Sequence, residues 1–93
     1  MRVDIYSKPR CSLCEKALAV VEAVQSRLPF ELYVTDILQS PDLFEAWRYD
    51  IPVVLIEGVP VFKYRVDEEA LEARIREVMN GIPIAKTVGQ DGQ

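Results

Sequence analysis

Polar and apolar residues alternate over Val3-Asp4-Ile5-Tyr6, the two-residue period of a strand with one buried face. Ser7-Lys8-Pro9-Arg10 breaks the run, and from Ser12 the period lengthens. Leu13, Ala17, Val20, Val21, Val24 and Leu28 recur at three- and four-residue steps, which predicts the apolar face of a helix of about four turns. Pro29 is expected to end it, because the residue before a proline avoids the helical region. Alternation returns from Phe30 to Thr35 as a second strand. Ser40-Pro41-Asp42 has the form of a helix start, with Ser40 as N-cap and Pro41 at the first helical position. Leu43, Phe44 and Trp47 supply the apolar side of that short helix.

Val53 to Ile56 is continuously apolar, as in a strand covered on both faces. Glu57-Gly58 predicts a tight turn into a returning strand from Val59 to Tyr64. Pro60 cannot donate to a strand ladder, so that strand belongs at a sheet edge. Asp67 is expected to cap a last helix, with Glu68 and Glu69 in its first turn favoured by the helix dipole. Leu71, Ile75, Val78 and Met79 form its stripe, and Gly81 suits its C-terminal cap. The order is β-α-β-α-β-β-α. The first two strands are then parallel through a right-handed helical crossover, and the last two form a hairpin. The expected class is α/β, one mixed four-stranded sheet flanked by three helices. A domain over 1–83 is expected, with 84–93 as a flexible C-terminal tail.

Size and charge narrow the function. A chain of 93 residues buries about two thirds of its unfolded surface, enough for one modest core. Its longest apolar run, Ile51 to Ile56, falls far short of the roughly 18 residues of a membrane span. The first residues alternate and lack the apolar stretch of a signal peptide, so a cytoplasmic location is expected. The net charge of −4 argues against a nucleic-acid partner. The charge is uneven: Arg2, Lys8, Arg10 and Lys16 outnumber Asp4 and Glu15 in the first sixteen residues, and the remainder is acidic. The basic stretch surrounds the two cysteines.

Cys11 and Cys14 have C-x-x-C spacing directly after a strand and at the opening of a helix, the setting of a dithiol redox motif. A thiolate attacks where a thiol does not. Unpaired N–H groups and the dipole at a helix entrance favour negative charge on Cys11, and Lys8 and Arg10 add to the effect, so its pKa is expected to fall. Cys14 lies in the first turn on the same side, within closing distance of a Cys11 that stands just outside the helix. Competing readings are weaker. A helix entrance flanked by cations is a poor place for cysteines serving only as small hydrophobes. A closed zinc site needs four nitrogen or sulfur ligands, and the chain has two cysteines and no histidine. A purely structural disulfide is disfavoured in a reducing cytosol.

The stretch Tyr6-Ser7-Lys8-Pro9-Arg10-Cys11-Ser12-Leu13-Cys14 resembles the glutaredoxin segment from first strand to C-x-x-C. Asp50-Ile51-Pro52-Val53 resembles the segment entering that family's third strand. Over residues 1 to about 80 the chain is similar to the glutaredoxin-like branch of the thioredoxin superfamily, which implies a thioredoxin-like, glutaredoxin-type fold. By this resemblance Cys11 is the nucleophile and Cys14 the resolving thiol. Pro52 would be cis and packed against the pair, and Ile51 would offer its backbone to an incoming substrate strand. Lys8 matches the family's basic residue ahead of the motif, and Asp67 stands like its aspartate at the last helix. Together with Arg10, these make Lys8, Arg10, Ile51, Pro52 and Asp67 the candidate substrate-binding residues. Two departures stand out: Leu13 replaces the usual aromatic before the second cysteine, and Phe62-Lys63-Tyr64-Arg65-Val66 lacks the Gly-Gly pair that helps hold glutathione.

The implied activity is thiol–disulfide exchange on protein disulfides or glutathione mixed disulfides. It needs no resident cofactor or metal. Glutathione would serve as co-substrate, or a thioredoxin-type reductase as electron donor, and the chain would be a monomer. Two other readings remain open: a non-enzymatic carrier, in which two chains hold an iron–sulfur cluster with Cys11 and two external thiols, and a redox-sensing or redox-inactive scaffold.

Overall fold

In the first strand, β1 (Arg2–Ser7), Val3 and Ile5 point to one side and are fully buried. The computed structural model describes residues 1–84. The chain continues through α1 (Ser12–Gln25), β2 (Glu31–Asp36), a 3-10 turn at Ile37–Gln39, α2 (Pro41–Trp47), β3 (Val53–Ile56), β4 (Val59–Lys63) and α3 (Glu68–Met79). The sheet order is β2-β1-β3-β4. β1 runs parallel to β2 and antiparallel to β3, and β3 pairs antiparallel with β4. This is the expected mixed four-stranded α/β sheet, with Pro60 on the outer strand β4 as its missing N–H demands.

The pleat sorts side chains into two clusters. On one face Val3 and Ile5 of β1 and Val54 and Ile56 of β3 meet Ala17, Val21 and Val24 of α1 and Leu71 and Ile75 of α3. On the other face Val53 and Leu55 of β3 meet Cys14, Ile37 and Ile51, with Tyr6, Leu43, Phe44 and Trp47 partly buried against them. β3 is buried along its whole length because both faces are covered.

The caps follow the sequence. Ser40 Oγ accepts from Leu43 N (3.3 Å), and Asp67 Oδ2 accepts from Ala70 N (2.9 Å). In the hairpin turn Glu57 and Gly58 both take positive φ (52° and 83°), the pattern of a type I′ turn. Glu57 Oε2 also accepts from Arg2 N at 2.6 Å, fastening the turn to the start of β1.

Three expectations need correction, and the structure adds one element. The regular part of α1 ends at Gln25, not Leu28. Ser26 Oγ turns back to Ala23 O (2.6 Å), and Val24 O accepts from both Arg27 N and Leu28 N (2.9 Å each), so the last turn tightens yet still buries Leu28. β4 stops at Lys63, because Tyr64 enters the left-handed region (φ 70°). Met79 lies at the end of α3 and is exposed rather than part of its stripe. The turn at Ile37–Gln39 was not anticipated; Asp36 Oδ1 caps it by accepting from Leu38 N (2.9 Å). Of the expected tail, Ile84 packs partly buried against the larger cluster, and 85–93 lie outside the described residues. The outer strand β2 leaves Tyr33 and Val34 exposed.

Candidate active site

Where β1 ends, Lys8 and Pro9 lead to Arg10, which adopts a left-handed conformation (φ 60°). The chain then extends at Cys11 (φ −116°, ψ 105°), which is the N-cap of α1. This geometry points the Cys11 sulfur back over the first turn, where Sγ accepts a hydrogen bond from Cys14 N at 3.2 Å. Sulfur thus takes the place of the usual serine or aspartate cap oxygen and partners one of the free donors at the helix end. Cys11 O accepts from Glu15 N (3.0 Å) and starts the helical ladder. The Cα atoms of Cys11 and Cys14 are 5.2 Å apart and the sulfurs are joined in a disulfide.

The two cysteines differ in exposure. Cys11 is half-buried, whereas Cys14 is only 4% exposed and sits among Ile37, Ile51, Val53 and Leu55. The outer cysteine is therefore the more accessible of the two. In the reduced state the backbone donor and the helix dipole favour a thiolate on Cys11, while apolar burial disfavours one on Cys14.

Ile51 and Val53 belong to the cluster that holds Cys14, so the Ile51–Pro52 segment runs beside the pair. The Ile51–Pro52 bond is cis and Pro52 is fully buried. Tyr64 grips this segment from both ends. Its backbone N–H donates to Pro52 O (2.9 Å), and its hydroxyl donates to Tyr49 O (3.1 Å) and lies 3.3 Å from Asp50 Oδ1. The same Asp50 oxygen is 3.4 Å from Lys63 Nζ. Ile51 thus lies between anchored neighbours on either side. In the sequence Tyr64, Lys63 and Asp50 stand only within the stretches compared with glutaredoxins, with no role at the site. The available signal was the absence of glycine at 64 and 65; the left-handed turn that makes Tyr64 useful was not legible.

Lys8 and Arg10 are exposed in the loop just before Cys11. Asp67 is exposed at the start of α3, and its carboxylate accepts the capping N–H of Ala70. Cys11, Cys14 and Ile51 are brought together in one cluster, while Asp67 serves the helix it opens. Among the described residues no group of three His, Cys, Asp or Glu side chains is arranged to hold a metal ion. No helix of the described residues is long and apolar enough to cross a membrane.

The sequence profile of the Glutaredoxin-like domain family matches residues 2–76. The chain belongs to this family. A curated relative is the Glutaredoxin-like protein YDR286C homolog of Dictyostelium discoideum, 26% identical over 77 residues that cover 76% of this chain and 71% of that protein. Among solved structures, protein Ne2328 from Nitrosomonas europaea superposes with a TM-score of 0.67 at 26% identity, covering 77% of this chain and 87% of the other. Protein XcR50 from X. campestris gives 0.68 at 18% identity, covering 87% and 99%. Thioredoxin 1 from Thermosipho africanus gives 0.65 at 14% identity, covering 86% and 96%. The last two establish the thioredoxin-like fold. A glutaredoxin-like domain of this fold carrying a C-x-x-C pair at the helix entrance fits redox chemistry at those cysteines.

Proposed function

We propose that this glutaredoxin-like protein is a thiol–disulfide oxidoreductase that reduces protein disulfides or glutathione mixed disulfides in the cytoplasm. The observation that carries the reading is the asymmetry of the pair: an accessible Cys11 sulfur at the mouth of α1, accepting the Cys14 N–H, and a buried Cys14 behind it. In the reduced protein the Cys11 thiolate attacks one sulfur of the substrate disulfide. A mixed disulfide forms, and the first substrate thiolate leaves and takes up a proton. Cys14 then gives up its proton and attacks Cys11 Sγ, releasing the second substrate thiolate. The substrate gains two electrons and two protons, and the protein is left with the disulfide seen here. An external dithiol or two molecules of glutathione would restore the reduced pair.

Ile51 supports capture of an extended substrate. Anchored on both sides through Tyr64, its backbone can pair with a passing strand as an added sheet edge. Lys8 and Arg10 add positive charge at the approach to Cys11.

The test is equilibration against glutathione buffers combined with trapping by Cys14→Ser. We expect a couple at about −200 to −270 mV, since no proline or aromatic residue separates the cysteines, and covalent capture of substrate by the variant. A potential near the strongly oxidising end, or no captured substrate, would count against the reductant assignment. Visible absorbance from an anaerobically purified dimer would favour the cluster-carrier reading.

A further inference from the structure

Beside the cysteine pair, a groove of about 160 Å³ opens between α1 and the β4–α3 connection. Leu13, Ala17 and Val20 of α1 form one apolar wall, and Tyr64 and Val66 form the other. Leu13 lies between the two cysteines in sequence, which puts one end of the groove next to the pair, although neither cysteine lines it. It follows α1 to Val20, roughly 10 Å along the axis at about 1.5 Å per residue. Two cations, Lys16 and Arg65, complete its lining.

The state of those cations separates this end of the molecule from the rest. Among the described residues Arg2, Arg27, Lys63, Arg74 and Arg76 each have a carboxylate partner. Arg48 lies over the rings of Phe44 and Tyr49. Lys8, Arg10, Lys16 and Arg65 have neither an acid nor a ring, and all four belong to the loop before Cys11, the first turns of α1 or the groove wall. The acids nearby in sequence are Glu15, Asp67, Glu68 and Glu69; Asp67 is engaged in capping α3 and Glu68 pairs with Arg27. Among the described residues, a protein of net charge −4 thus leaves its unpaired positive charge near its disulfide and along this groove.

We propose that this groove is the docking site for a protein substrate that presents an apolar side chain flanked by acidic residues close to its disulfide. The proposal rests on the oxidoreductase reading above and names the substrate class for it. The apolar walls take the side chain, and Lys16 and Arg65 face the flanking carboxylates. Lys8 and Arg10, exposed in the loop before Cys11, add to the same positive field. Charge of one sign around a cleft raises the encounter rate with oppositely charged partners, and salt weakens the effect.

The experiment uses the reduced full chain and two peptide disulfides that differ only in the residues beside one leucine, glutamates in one and lysines in the other. Glutathionylated peptide serves as a third substrate. We expect kcat/KM for the acidic peptide to exceed that for the basic one on the order of tenfold at low ionic strength, with the ratio shrinking at about 300 mM salt. Lys16→Glu combined with Arg65→Glu should invert the ratio. Equal rates for the two peptides, a ratio indifferent to salt, or a clear preference for the glutathione mixed disulfide over both would overturn the proposal while leaving the redox reading intact. Failure to reduce any of the three would overturn both. A concentration-dependent dimer abolished by the double substitution would assign the groove to a second copy and likewise overturn it.

Discussion

The face of the sheet under α1 and α3 and the face under α2 are built in different company. The first buries Val3, Ile5, Val21, Val24, Leu71 and Ile75 completely and is closed on its rim by a charge network. There Arg27 donates to Glu68 and Glu72 (2.8 Å each), and Arg76 donates to Glu72 (2.8 Å). The second has a smaller buried set, surrounded by half-buried aromatics and one sulfur of the reacting pair. The difference teaches a division of labour: the first face supplies most of the buried side chains, so the second can leave a half-buried cysteine and the Ile51–Pro52 segment at its margin.

The largest effect should come from the chemistry side. Cys11→Ser should abolish disulfide turnover to the background rate, while urea unfolding of the reduced protein stays close to wild type. Thiolate absorbance followed over pH should place the Cys11 transition below the free value of about 8.5. Equal alkylation rates for the Cys11→Ser and Cys14→Ser proteins would erase the asymmetry between the sulfurs.

Next comes the packing side. Ile75→Ala deletes a fully buried side chain between α3 and the sheet and should cost about 2–5 kcal/mol in urea unfolding. Trp47, partly buried on the opposite face with Tyr6 at 6.0 Å between ring centroids, is the natural fluorescence probe. Phe44→Ala, only partly buried, should cost less. A larger loss from Phe44→Ala than from Ile75→Ala would reverse the assignment of the two faces.

Tyr64→Phe sharpens the comparison where the faces meet the site. It removes the hydroxyl bonds to Tyr49 O and Asp50 but keeps the backbone bond to Pro52 O. A net loss of about 0.5–1.5 kcal/mol is expected. If Tyr64 positions Ile51, the loss should appear as a several-fold rise in KM for a peptide disulfide with kcat retained. A change in stability alone would make it a structural residue.

The smallest effect concerns the rim. Arg76 and then Arg27, through hydrogen bonds, hold the Glu72 carboxyl below the usual glutamate range. A carboxyl whose folded value is depressed stabilises the fold above its unfolded pKa, and that contribution disappears as pH falls through the folded value. Midpoints measured for wild type and Glu72→Gln should therefore differ at neutral pH and converge in acid. Identical pH profiles would show that the exposed network contributes nothing measurable, as many surface pairs do.

What the sequence made legible was local. The run Val53 to Ile56, the caps Ser40 and Asp67, the Glu57-Gly58 turn and the cysteine spacing each declare themselves within a few residues. The resemblance to glutaredoxins supplied the cis bond at Pro52, which periodicity does not encode. The parts that escaped depend on distant partners. Ile37 looks like a residue at the end of a strand, yet it is fully buried in a 3-10 turn because the second face needs a lid beside α2. Tyr64 looks like the last residue of β4, yet its partners lie some fifteen positions earlier. The groove lining joins α1 to residues 64–66, a contact that no single window of sequence contains.

The sheet's two edges bear on how the protein behaves at high concentration. β4 is blunted by Pro60 and by the irregular register between Val54 and Leu55. β2 has neither device and offers six residues with Tyr33 and Val34 exposed. Its protection is electrostatic: in a symmetric antiparallel pairing of two β2 strands centred between Tyr33 and Val34, Glu31 of each copy faces Asp36 of the other, and like charges placed opposite are unfavourable. Removing those charges withdraws the barrier. Glu31→Gln combined with Asp36→Asn should therefore promote self-association through β2, appearing as light scattering with added strand signal, and a further Val34→Lys should suppress it.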